Sequence, residues 1–306
     1  MAKSVAVLMG GWSSEREVSL VSGATVAEAL STAGYKTNTI DVARDVAGLT
    51  RQLTPPPDVA FNALHGRYGE DGCVQGLLEI LAIPYTHSGV LASALAMDKP
   101  MAKKLFTDAG IRCAEHAVAD RDAVLSGYVM EPPYVIKPLN EGSSVGVRII
   151  LDAEAVAAAR QEDWAFGDEV MVERYIAGRE LTVAVMGDRA LGVTEIQPAD
   201  GFYDYEAKYT DGRAQHLVPA PTPPAIYEET QRFAVQAHEA LGCRGVSRAD
   251  LRYDDTQSDP GLVYLLEINT QPGMTPLSLV PELARYAEID FAQLVSWMVE
   301  NASCDG

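Results

Sequence analysis

Val5 to Met9 is a short, unbroken apolar run that stops at Gly10-Gly11, the pattern of a buried strand opening a βα unit. From about Glu17 to Leu30 apolar positions return at helical spacing, and Gly34 is their stop. Thr39 to Val42 and Asp58 to Leu64 read as further strands, separated by Pro55-Pro56-Pro57. Val74, Leu77, Leu78 and Leu81 then recur at helical spacing after an Asp71-Gly72 start. Residues 1–97 thus alternate strand and helix, which predicts an open, mostly parallel, Rossmann-like sheet.

Asp98 is placed to cap a helix that carries Pro100 in its first turn and Gly110 at its end. Beyond it the pattern changes. Tyr134 to Lys137, Val147 to Leu151, Glu169 to Ile176 and Leu181 to Met186 read as strands, with one helix near Ala153 to Arg160. Strands outnumber helices here, so an α+β arrangement with antiparallel pairing is expected. Residues 198–224 are rich in Pro, Gly, Asp and Tyr, carry little periodicity, and read as a long functional loop. Thr230, Ala234, Ala237 and Leu241 mark another helix, Gly245 to Tyr253 and Leu262 to Ile268 two strands, and Asp290 to Val299 a last helix. The expected organisation is an α/β subdomain over 1–97 and two α+β subdomains over 98–180 and 181–306.

Chain length agrees with more than one core, since 306 residues exceed what a single compact core holds. Charge changes the picture more. With 43 acidic against 24 basic side chains the net is −19, which argues against a basic nucleic-acid face. An anionic ligand would need cations gathered locally, and Lys99, Lys137, Lys208 and Arg248 are the candidates. Cys73, Cys113, Cys243 and Cys304 lie far apart with no CxxC, which speaks against a disulfide framework or structural zinc and fits a reducing cytosol. Val5 to Met9 is too short for a secretory core, and no stretch approaches membrane-span length.

Candidate chemistry concentrates in the two late strands. Alternation puts Arg248 and Asp250 on one face of the first, and Glu267 and Asn269 on one face of the second. If the strands pair, two carboxylates and an amide oxygen converge. Such hard oxygen donors suit Mg²⁺ held together with phosphates; a buried Arg–Asp or Arg–Glu ion pair is the other reading. Lys137 ends a strand ahead of the glycine-bracketed run Glu141-Gly142-Ser143-Ser144-Val145-Gly146, a phosphate-binding arrangement or an ordinary hairpin. Neither a Walker loop nor a G-x-G dinucleotide fingerprint occurs. Gly142-Ser143-Ser144-Val145-Gly146 also matches G-x-S-x-G, the elbow of a serine hydrolase with Ser144 as nucleophile and His216 and His238 downstream. That motif requires a following helix, where a strand is predicted. Ser13 or Ser14 with Glu17 could form a capping box, and His65 stands where an apolar strand opens into a loop, as ligand-binding or structural histidines both do.

Taken together, GGWSSEREVSL (10–20), ALHGRYGEDG (63–72), ASALAMDK (92–99), VIKPLNEGSSVG (135–146), FYDYEAKY (202–209) and LLEINTQPGMT (265–275) resemble the D-alanine–D-alanine ligase family of the ATP-grasp superfamily. The resemblance spans nearly the whole chain. It implies an ATP-grasp fold behind the Rossmann-like subdomain, two Mg²⁺ (or Mn²⁺) ions, and a cytoplasmic homodimer that makes a peptidoglycan precursor. Lys99, Lys137 and the loop residues Gly142, Ser143 and Ser144 would hold ATP phosphates. Glu173, Tyr175, Ile176, Glu180 and Lys208 would complete the nucleotide site. Asp250, Glu267 and Asn269 would bind the metals.

By the same resemblance, Glu15 would hold the ammonium of the first D-alanine, networked with Ser143 and Tyr209 and flanked by His65. Arg248 and the Gly273 amide would stabilise an oxyanion. Lys208, Ser278 and Leu279 would bind the second D-alanine, and residues 198–224 would form a lid. Tyr209 stands where ester-forming relatives carry phenylalanine, which points to a dipeptide product. Gln271 and Pro276 fall at positions expected to vary, outside every named role.

Overall fold

In a computed structural model, residues 2–126, 129–140, 146–159, 167–198 and 214–305 are described. The sequence-predicted residues Gly142, Ser143, Ser144, Lys208 and Tyr209 lie outside them, as does most of the predicted lid. Twelve strands among the described residues form three sheets.

The first sheet is parallel, in the order β2-β1-β3, from β1 (Ser4–Gly10), β2 (Lys36–Val42) and β3 (Val59–Asn62). The helix Arg16–Thr32 makes the crossover from β1 to β2. Val5 and Val7 on one side of β1, and Ala6 and Leu8 on the other, are all buried, as expected for a strand covered on both faces. The second cover of the Val5 face comes from the far end of the chain. Val280 and Leu283 of the helix Leu279–Tyr286, and Leu294 and Met298 of the helix Phe291–Glu300, join Val26, Leu30 and Phe61 in one core.

The second sheet is antiparallel and runs β10-β9-β8-β11-β12. Its strands are β8 (Arg179–Met186), β9 (Arg189–Pro198), β10 (Ala214–Leu217), β11 (Val246–Asp254) and β12 (Leu262–Asn269). The helix Pro224–Ala240 covers one face through Phe233, Ala234 and Ala237, against Leu181, Val183, Ala249, Leu251 and Leu265. The third sheet, β4-β7-β5-β6, joins β4 (His116–Asp120), β5 (Tyr134–Pro138), β6 (Arg148–Ile150) and β7 (Glu169–Arg174), again antiparallel. Between the last two sheets the helix Lys99–Asp108 starts on Asp98, whose side chain accepts from the Met101 N–H at 3.0 Å.

The parallel-then-antiparallel expectation therefore holds, with particular differences. The 198–224 segment is not loop throughout: Ala214–Leu217 is a strand that extends the second sheet through its pairing with β9. Helices Val46–Gln52, Val90–Met97, Arg121–Ser126 and Leu279–Tyr286 escape the periodicity reading. Val46–Gln52 buries only Leu49, so no apolar stripe announces it, and it starts instead on Asp45, which accepts from the Gly48 N–H at 2.9 Å. Ser13, Ser14 and Glu17 do not form a capping box. Glu15 occupies the cap position, and no side chain caps the first helix.

Candidate active site

The facing pair β11 and β12 places the acidic set. Their register sets Arg248 opposite Asn269 and Asp250 opposite Glu267, with the buried Ala249 opposite the buried Ile268. Next to this pair the register shifts: Leu251 faces Leu265, so Leu266 is an extra residue in β12. Without that bulge Leu265 and Glu267 would share a face. With it, Leu265 enters the core under the helix Pro224–Ala240 while Glu267 turns to the polar face.

On that polar face Arg248 grips Asp250 with two hydrogen bonds, Nε to Oδ1 at 2.8 Å and an Nη to Oδ2 at 2.7 Å. Thr182 of β8 donates to the same Oδ1 at 2.8 Å. The ion-pair reading of this strand is thus realised, and it does not exclude metal. Asn269 Oδ1 accepts from the Gln271 N–H at 2.8 Å, which fixes the amide's orientation. Among the described residues no three His, Cys, Asp or Glu side chains gather as a metal cluster. The donors here are two carboxylates and one amide oxygen, a hard-oxygen set that fits Mg²⁺ when phosphate oxygens complete the shell.

A buried ion triad lies on the third sheet. Glu173 of β7, almost wholly inaccessible, is ion-paired with both Lys137 of β5 and Lys103 of the helix Lys99–Asp108. Burial pushes the Glu173 carboxyl up, but the two ammonium groups overrule it and hold it at about 2. For Lys137 burial acts to lower the value, yet Glu173, Glu267 and Glu180 together keep it raised and charged. Lys103 is a residue the sequence reading missed, because a lysine inside a helix looks solvated until a neighbouring sheet covers it. The remaining nucleotide candidates sit around this triad. The Lys99 N–H meets the Leu139 carbonyl, the Tyr175 N–H donates to the Pro133 carbonyl, and Arg252 reaches both the Ile176 carbonyl and Glu180.

A third cluster closes the carboxyl ends of β1 and β3. Ser13 donates its hydroxyl to the His65 carbonyl at 2.7 Å, and Glu15 is buried against Gly66. Gly66 has φ of +68°, and a Cβ there would stand 2.9 Å from Glu15 Oε2, so glycine alone lets the carboxylate approach. Glu70 is a second buried acid that the sequence reading missed. Burial and the neighbouring Glu15 push its carboxyl well above the ordinary range, while the Gly66 N–H and Arg248 act against the rise. Burial holds the His65 ring down at about 4, so it is neutral near pH 7. Arg248 acts on both His65 and Glu70, which brings this cluster and the β11–β12 face into one site.

At the rim, Ser278 Oγ accepts from the Thr275 N–H at 2.9 Å and would meet a Cβ on Gly273 at 2.9 Å, while Leu279 begins the following helix. Gln271 is not a neutral departure. Its N–H orients Asn269 and its carbonyl accepts from the His65 ring, so it touches two named roles. The hydrolase alternative fails on topology: β5 and β6 pair antiparallel, Tyr134 with Ile150, so the segment between them leads to a strand, not to a helix. His238, on the helix Pro224–Ala240, bonds Ser247 of β11, whereas His216 of β10 pairs with Glu282 of the helix Leu279–Tyr286.

The arrangement can hold a nucleotide polyphosphate beside a small amino acid. The chain matches the family description "D-ala D-ala ligase N-terminus" over residues 46–88 and "D-ala D-ala ligase C-terminus" over residues 105–300. It belongs to the D-alanine–D-alanine ligase family. The D-alanine–D-alanine ligase of Parvibaculum lavamentivorans is 62% identical, covering 99% of each chain. That of Rhodospirillum rubrum is 58% identical over the full length of both. Among solved structures, the D-alanine–D-alanine ligase of Bacillus anthracis superposes with a TM-score of 0.84 at 33% identity, over 98% of this chain and 97% of that one. The VanG D-Ala:D-Ser ligase of Enterococcus faecalis gives 0.81 at 29% identity, over 98% and 99%. Among the described residues no helix is long and apolar enough to cross a membrane.

Proposed function

We propose that this chain joins two D-alanines into D-alanyl-D-alanine at the expense of ATP, as a cytoplasmic enzyme supplying a peptidoglycan precursor. The observation that carries the reading is the β11–β12 register, which sets Asp250 against Glu267 and Arg248 against Asn269 on one polar face. Asp250, Glu267 and Asn269 would hold two Mg²⁺ ions (or Mn²⁺), which when bound would supply charge neutralisation for the phosphates. Lys137 and Lys99 bind the phosphates, and by the family resemblance Gly142, Ser143, Ser144 and Lys208 would contribute to the same site. Glu173, Tyr175, Ile176 and Glu180 bind adenosine.

The first D-alanine lies with its ammonium on Glu15, beside His65. Its carboxylate oxygen takes the γ-phosphoryl group, giving an acyl phosphate and ADP. The free amine of the second D-alanine, held through Lys208, Ser278 and Leu279, attacks that carbonyl and loses a proton as phosphate departs. Arg248 and the Gly273 N–H stabilise the oxyanion of the tetrahedral intermediate. A site between two sheets excludes the water that would hydrolyse the acyl phosphate. By the family resemblance, Tyr209 would network with Glu15 and Ser143 and favour the amine over a hydroxyl nucleophile. The four thiols, all unpaired in the structure, suit a reducing compartment, and the family resemblance implies a homodimer.

Phosphate release from Mg-ATP, measured with and without D-alanine, tests the reading. Release that depends on D-alanine and yields dipeptide is expected; release indifferent to it would sink the assignment.

A further inference from the structure

Gln271 follows the strand that carries Glu267 and Asn269, yet its side chain points back into the first sheet. It is 1% exposed. Its Nε2 donates to the Leu64 carbonyl, and its Oε1 accepts from Asn62 Nδ2 at 2.7 Å. Both ends of the amide are therefore used, which fixes its orientation. Asn62, fully buried, extends the network: its Oδ1 accepts from the Leu64 N–H at 3.2 Å, and its Nδ2 also donates to the Gly69 carbonyl at 2.9 Å. Gln75 donates to that same carbonyl at 3.0 Å. On its backbone side, Gln271 orients Asn269 through its N–H and accepts from the His65 ring through its carbonyl.

Leu64 lies beyond the end of β3 and its carbonyl has no strand partner in the ladder. A buried carbonyl of that kind requires a donor. Gln271 supplies it from the opposite side of the cleft. One residue thus ties the loop holding His65 and Gly66, against which Glu15 packs, to the strand end that carries Asn269.

We propose that Gln271 is a positioning residue that sets the distance between the pocket for the first amino acid and the face that activates its carboxylate. This rests on the ligase reading above. A residue in this place acts on geometry, and a misplacement near 1 Å costs about 100-fold in rate. An apolar side chain of the same size would leave the Leu64 carbonyl and one Asn62 N–H without partners, and the loop would move to find water.

Three measurements test it on the full-length enzyme: initial-rate kinetics resolving the two amino-acid sites, affinity for a non-hydrolysable ATP analogue, and NMR titration of the His65 ring. In Gln271→Leu, kcat/KM for the first D-alanine should fall about 30- to 100-fold. Affinity for the analogue should be unchanged, and His65 should titrate higher, from about 4 toward its ordinary 6.5. Gln271→Asn, one methylene shorter, should restore part of the rate. Wild-type kinetics in folded Gln271→Leu, a loss shared equally by analogue binding, or an unmoved His65 would each overturn the proposal. If Gln271→Leu does not fold, Asn62→Ser, which removes the partner of Oε1, takes its place under the same criteria. An unaltered enzyme without D-alanine-dependent turnover would sink the ligase reading, and the NMR titration would still decide whether Gln271 holds His65.

Discussion

Asp250 on β11 stands directly across from Glu267 on β12, and the bulge at Leu266 is what keeps both carboxylates on the polar face. Two like charges at a paired position repel. Arg248 and Thr182 compensate on the Asp250 side, which leaves Glu267 as the carboxylate available to cations brought with a nucleotide.

Replacing that carboxylate gives the first prediction. Glu267→Gln should lower turnover by about 100-fold or more, because the amide cannot neutralise bound cations, while the fold survives at a partly exposed position. Turnover at saturating Mg²⁺, alongside the thermal transition of the same preparation, checks it. Near-normal rates would remove Glu267 from the metal site.

Glu15→Gln should raise the KM for the first D-alanine about ten-fold, roughly 1.4 kcal/mol of lost ammonium binding, and affect the second site less. Glu15 also adds, by repulsion, to the burial that raises the Glu70 carboxyl. The variant should therefore be no less stable than the parent, although it binds substrate worse. A loss of stability together with an unchanged first-site constant would return Glu15 to a structural role.

Lys103→Met should cost about 2–3 kcal/mol in urea unfolding, since it leaves a buried carboxylate with one of its two cations. The pH dependence follows from sign. Glu173 is held at about 2, below its ordinary 4.5, so its contribution is present above pH 4.5 and is lost as pH falls toward 2. With Lys103 removed the depression shrinks, so the acid loss should be smaller and should be complete at a higher pH. An acid limb identical to wild type would show that Lys137 alone clamps Glu173.

Three buried histidines set the milder acid limb. Burial holds His65 and His238 at about 4 and His87 at about 3. Their folded values lie below the ordinary 6.5, so the unfolded chain binds more protons between pH 6.5 and about 4, and stability must fall as pH falls through that window. Each contributes on the order of 2–3 kcal/mol at the bottom of the window. Glu70 offsets part of this, because its raised carboxyl favours the folded state at low pH. His238→Asn, remote from the proposed chemistry, should flatten the slope of unfolding free energy against pH; an unaltered slope would assign the limb to other groups.

Much of the fold was legible because burial writes itself into the sequence as period. The Val5–Met9 run, the Asp98 start with Pro100, and the alternation through Arg248 to Leu251 all report local environments that local residues impose. The short helices were illegible for the converse reason. Val46–Gln52 buries a single leucine and Arg121–Ser126 a single valine, so neither carries enough apolar period to be seen.

What the sequence determined by itself is which residue types sit on which side of their own strand, and through its motifs the family to which the chain belongs. Pairing across elements was left to tertiary structure. Glu267 and Leu265 have the same parity in sequence, and only the bulge against β11 sends one to the site and the other to the core. Lys103 and Glu70 look like solvated charges until a second element covers them: Lys103 is then ion-paired with Glu173, and burial together with Glu15 raises the Glu70 carboxyl. Gln271 looks replaceable in its motif, yet it is buried against β3 because its partners lie more than two hundred residues away. Side-chain period is a property of one element, whereas charge state and hydrogen-bond partnership are properties of the contact between two.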